Sequence, residues 1–105
     1  MADYVLLYSG GHMPESEEEQ NQVMKAWTDW FGKIGGALKD GGNPFTPASK
    51  TIKADGSVSD GASASASGYS VISADSLDDA VAIAKDCPVL MGGASISVYE
   101  TFNVM

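Results

Sequence analysis

Val23, Met24, Trp27, Trp30, Phe31, Ile34, Ala37 and Leu38 recur at steps of three and four. Only a helix puts residues at that spacing on one face, so the stretch predicts an amphipathic helix with a bulky aromatic side. A helix of that kind must bury its stripe against another layer. Just upstream, Ser16 and Glu19 have the spacing of a capping box, and the acids around them suit the positive end of a helix dipole. Gly35-Gly36 is a stop signal, which places the helix end near Ile34, with Ala37–Asp40 as a last turn or the run into the next element.

The other layer is written in the flanking runs. Asp3–Ser9 is nearly continuous in apolar and aromatic residues and ends at Gly10-Gly11. That predicts a strand covered on both faces, central in its sheet. After the breaker-rich loop Gly41–Pro47, Thr51–Ala54 and Ser57–Ser59 flank Asp55-Gly56, the signal of a type I′ hairpin. Asp60–Gly68 is a small-residue stretch that predicts a mobile surface loop. Tyr69–Ala74 is a strand. Ser76 and Asp79 repeat the capping pattern, and Leu77, Ala80, Val81, Ala84 and Cys87 make the stripe of a second helix, stopped by Pro88. From Ser95 to Met105, apolar Ile96, Val98, Phe102 and Val104 alternate with polar positions, predicting a last strand. In 105 residues this makes one domain, residues 1–105. The order is a ferredoxin-like α+β frame, βαββαβ, with an inserted hairpin. Two helices cover one sheet face. The other face is left apolar and bare, so a homodimer joined through the sheet faces is expected.

Charge narrows the partners. Fourteen acids stand against six bases, a net charge of −8, and the six bases are all lysines. Without arginine or clustered positive charge, nucleic-acid binding is not expected, and no side chain can grip an anion bidentately. One cysteine and one histidine rule out a disulfide framework and a His- or Cys-rich metal site within the chain. No run approaches the ~20 apolar residues of a membrane span, and no signal-peptide pattern opens the chain, so a cytoplasmic location is expected.

Residues 68–88, a strand running into Ser76-Leu77-Asp78-Asp79-Ala80 and closing on Asp86-Cys87-Pro88, resemble the C-terminal half of YCII-related (DGPF-type) proteins. Tyr4–Tyr8, the first helix and the glycine pairs after it are similar in order and spacing to the N-terminal half. The resemblance implies a dimeric α+β barrel. It also implies a proton-transfer site in which Asp86 is the acid–base group, and one relative is similar to a ring-dehydrochlorinating lyase. Two features depart from the pattern. The first-helix histidine of the family is replaced in the stretch Lys25-Ala26-Trp27, and Asp60-Gly61 is followed by Ala62-Ser63 rather than Pro-Phe.

Two readings of function follow. In one, the chain binds a flat, apolar or aromatic metabolite in a pocket between the first helix and the sheet, lined by Trp27, Trp30, Tyr69 and Tyr4. In the other, it is a lyase or isomerase acting on a cyclic or aromatic substrate, with Asp86 as the acid–base group and His12 or Glu100 as its partner. His12 follows the glycine pair at the end of the first strand, where a base near neutral pH would border a pocket. Glu100 falls, by alternation, on the apolar face of the last strand, where a carboxylate needs a reason. Neither reading calls for a metal or cofactor. Each residue also has a plainer role. The aromatic stripe can be core, Cys87 an inert buried thiol, His12 a loop residue, Asp86 a solvated acid and Glu100 a strand-end residue.

Overall fold

The computed structural model describes residues 2–11, 15–62 and 66–102. Strand β1 (Ala2–Gly10) leads into α1 (Glu17–Ile34) and, after a 3-10 turn, the short β2 (Leu38–Asp40). Strands β3 (Lys50–Ile52) and β4 (Val58–Asp60) form the hairpin. Strand β5 (Gly68–Ala74), helix α2 (Leu77–Ala84), a 3-10 turn over Pro88–Gly92, and β6 (Ala94–Glu100) complete the chain. The main sheet runs β2-β5-β1-β6 with every pair antiparallel, and β3-β4 is a separate two-stranded sheet. This is the ferredoxin-like α+β arrangement with its hairpin insertion. The sheet is open, not a closed barrel.

Period-two alternation assigns the faces. Tyr4, Leu6 and Tyr8 of β1, with Ser70, Ile72 and Ala74 of β5, are buried beneath the helices with Trp30, Ala80, Ala84 and Cys87. Both helices begin as the sequence predicts: the Ser16 hydroxyl accepts from the Glu19 N–H and the Ser76 hydroxyl from the Asp79 N–H, each at 3.1 Å. The opposite, outer face presents Val5 and Leu7, with Tyr69 and Val71 beside them on β5 and Ser97 and Tyr99 on β6. The β1 and β5 members are half-buried, and Tyr99 is exposed.

Several boundaries differ from the sequence reading. Leu38–Asp40 is a strand, because Leu38 pairs with Ile72 along the edge of β5. Helix α2 ends at Ala84, and Pro88 opens a 3-10 turn rather than closing a helix. Strand β6 stops at Glu100, and Phe102 lies exposed beyond it. Its inward residues are Ala94, Ile96, Val98 and Glu100, so only Ser95, Ser97 and Tyr99 reach the outer face. Met24 is exposed, off the buried stripe of α1. The Asp55-Gly56 turn is not type I′. Only Gly56 has positive φ, and its N–H bonds the Lys53 carbonyl at 2.8 Å, giving the three-residue loop in which one glycine supplies the left-handed residue. The Asp55 carboxylate then takes the Ser57 N–H at 2.8 Å.

Candidate functional site

At the Gly10 end of β1, between the sheet and α1, four aromatic rings meet. Trp27 packs edge-on to Tyr8 at 5.9 Å and to Trp30 at 5.7 Å, and tilts against Phe31 at 5.6 Å. Trp30 is buried, and its indole N–H donates to the Ile83 carbonyl at 3.3 Å, tying α1 to α2. Trp27 and Phe31 are half-buried and keep ring surface toward solvent. Gly41 passes beside the Phe31 ring, where a Cβ would come within 3.1 Å of it.

A chain of neutral hydrogen bonds lies beneath the rings. The Cys87 thiol donates to the Tyr8 hydroxyl at 3.5 Å, Tyr8 donates to the Ser70 hydroxyl at 2.6 Å, and Ser70 donates to the Gly41 carbonyl at 2.8 Å. All three side chains are buried. Burial pushes the Tyr8 phenol far above its ordinary range and raises the Cys87 thiol too. Both therefore hold their protons at neutral pH. A buried neutral thiol is not a nucleophile, and a phenol held protonated is a donor rather than a base. At the rim, Asp86 meets Lys33 of α1 at 2.6 Å, with both side chains more than half exposed.

The other predicted site residues are dispersed. Tyr4 is buried and donates to the Glu100 carboxylate at 3.0 Å. Burial and Glu100 raise its pKa. That pair sits four residues from Tyr8 along β1, about 13 Å away at strand rise. Glu100 does share the inward face with Tyr4, but as an exposed residue at the strand end. Tyr69 lies on the outer face, opposite Trp27 and Trp30, and stacks on Phe45 with centroids 5.8 Å apart. A single pocket lined by Trp27, Trp30 and Tyr69 is therefore corrected: alternation along β5 turns Tyr69 away. A hollow does adjoin the Asp60–Gly68 stretch, but Phe45, Pro47, Ser49, Ala62 and Ala66 line it, on the Tyr69 side. His12 lies outside the described residues. Among the described residues, no group of three or more His, Cys, Asp or Glu could hold a metal ion, and no helix is long and apolar enough to cross a membrane.

The sequence signal for Ser70 was available in its parity. A hydroxyl two residues before Ile72 faces the core and needs a partner there. Which partner it takes depends on the approach of the Gly41 backbone, which spacing does not reveal.

The fold and this cluster define a small α+β domain of the ferredoxin-like class, with an aromatic and neutral polar wedge between helix and sheet. No family model and no curated protein matches the chain. Among solved structures it is similar to 5-chloro-2-hydroxyhydroquinone dehydrochlorinase from Burkholderia phenoliruptrix, determined in complex with 2,5-dihydroxybenzoquinone. The identity is 15%, the TM-score 0.54, and the match covers 95% of this chain and 93% of that one. At that identity the likeness is one of fold.

Proposed function

We propose that this chain is a YCII-related protein that binds a small, flat, apolar or aromatic metabolite at the Trp27 wedge and works as a homodimer joined through the outer sheet faces. The observation that carries the binding reading is Trp27 itself, half-buried on Tyr8, Trp30 and Phe31 with ring surface left over. Sites for such ligands are mostly apolar, and the buried Tyr8–Ser70–Cys87 chain holds the Tyr8 ring in place under the wedge without charge. The fold likeness to a protein solved with a flat quinone supports this ligand class. The acid–base reading draws less support, because Asp86 is engaged by Lys33 and Glu100 by Tyr4 at the far end of β1. Dimerisation is supported by Val5, Leu7, Tyr69 and Val71, an apolar cluster on a face that no helix covers.

Titration with neutral dihydroxybenzenes, read by tryptophan fluorescence, tests the binding. Saturable quenching is expected in the wild type and is expected to be lost in Trp27→Phe, with folding retained. Equal quenching in both proteins rejects Trp27 as the binding wall. For the dimer, Val71→Asp should yield monomers in sedimentation equilibrium, because it puts a charge in the centre of the apolar face.

A further inference from the structure

We infer that the β3–β4 hairpin is an arm that clasps a second copy of this chain, its Ile52–Val58 face lying on the partner's outer sheet face. The inference rests on the homodimer proposed above and names a contact that sheet packing alone does not require.

The arm is a separate sheet with no polar tie to the body among the described residues. Its hydrogen bonds and ion pair among the described residues all stay within residues 49–61: Lys50 to Asp60, Thr51 to Gly61, Lys53 to Ser57, Gly56 to Lys53, Ser57 to Asp55 and Gly61 to Ser49. Register pairs Ile52 with Val58 on one side of the arm, and both are exposed, at 73% and 59%. A lone two-stranded hairpin is marginal in water, and an exposed apolar cross-strand pair makes it more so unless something covers it. The chain's dimensions agree with a projecting element. Its radius of gyration is 15.2 Å, against about 13 Å for a compact domain of this length.

Charge and continuity select a second copy as the occupant. Residues 50–60 balance Lys50 and Lys53 against Asp55 and Asp60, so the chain's net −8 lies wholly outside the arm. The acids concentrate at the helix starts, in Glu15–Glu19 and Asp75–Asp79. On the outer face, Asp3 lies at the start of β1 and Asp40 beside Val71 at the β2 edge, while Val5, Leu7, Ser97 and Tyr99 on β1 and β6 are uncharged. A neutral arm laid on the uncharged β1 and β6 part of that face adds no repulsion to that between two bodies of −8. The arm also starts from that face: at its root Phe45 stacks on the outer residue Tyr69, and the Phe45 N–H bonds the Ser67 carbonyl at 2.8 Å. In an isologous pair each copy would extend one arm over the other.

The test uses the full chain. Ile52→Thr/Val58→Thr keeps β-branched side chains and neutral charge but removes apolar surface. In sedimentation equilibrium it should raise the dimer dissociation constant about tenfold or more, since both arms are changed. Hydrogen exchange on the wild type gives an independent reading, because only a dimer contact responds to protein concentration. The amides of residues 50–60 should be slower at high than at low concentration, together with the sheet face. Arm exchange that is independent of concentration in a dimeric wild type, or an unchanged dissociation constant in the double variant, overturns the arm while leaving the sheet-face dimer standing. A wild type that stays monomeric overturns both.

Discussion

Tyr8 is the residue on which the interior turns: its ring meets Trp27, and its hydroxyl is at once donor to Ser70 and acceptor from Cys87. Because burial raises the Tyr8 and Cys87 pKa values, the unfolded chain loses those protons first as pH rises. The stability from keeping both groups neutral is complete below the ordinary thiol value of 9.0 and falls as pH climbs past it and past the ordinary phenol value of 10.0. Urea unfolding across this range should therefore show midpoints falling with alkaline pH. Tyr8→Phe should flatten the fall above the phenol value while costing about 1–2 kcal/mol at neutral pH from broken hydrogen bonds. Tyr4, raised as well, sustains part of the remaining slope. The two tryptophans separate in the same assay. Trp30→Ala, at a position 3% exposed, should lose about 3–5 kcal/mol, as large-to-small core changes do. Trp27→Phe should lose much less. The sequence placed both on one stripe and could not tell core from rim, because a helix stripe is wider than the contact it makes.

At the scale of elements, what was legible depended on local chemistry. The helix starts were readable because Ser16 and Ser76 each carry their own cap three residues before the bonded N–H. Strand β2 was not, because three residues have little pattern and their strand character comes from pairing with β5. The polar pairs made by predicted site residues were hidden for a similar reason: Asp86–Lys33 and Tyr4–Glu100 join residues 53 and 96 positions apart in sequence. Gly42, with a φ of +73°, decides that β2–β5 edge, since a Cβ there would clash with the Tyr69 carbonyl. Gly42→Ala should destabilise by more than about 2 kcal/mol, measured by thermal unfolding, and loosen the chain toward Phe45. Asp86→Asn offers a contrast. Its ion pair is exposed, so the stability change should stay below about 1 kcal/mol.

The whole molecule has one covered sheet face and one open face. The ferredoxin-like frame followed from element order, whereas the register that sorts Tyr69 outward and Ser70 inward appeared only with strand pairing. With −8 on each copy, dimerisation should weaken at low ionic strength and recover as salt shortens the screening length to about 10 Å near 0.1 M. A dissociation constant that falls as salt is removed would mean that opposite charges, not apolar surface, hold the pair.

Cys87 is the chain's single cysteine, sealed at the seam where α2, β1 and the Pro88–Gly92 turn meet. A thiol reagent can reach it only when that seam opens. The rate of modification in native buffer therefore times the opening of the same wall that frames the Trp27 wedge. On the binding reading proposed above, a neutral dihydroxybenzene should slow the labelling in proportion to its occupancy. Cys87 labelling is thus a built-in clock for the opening of that seam, with no probe to be engineered in.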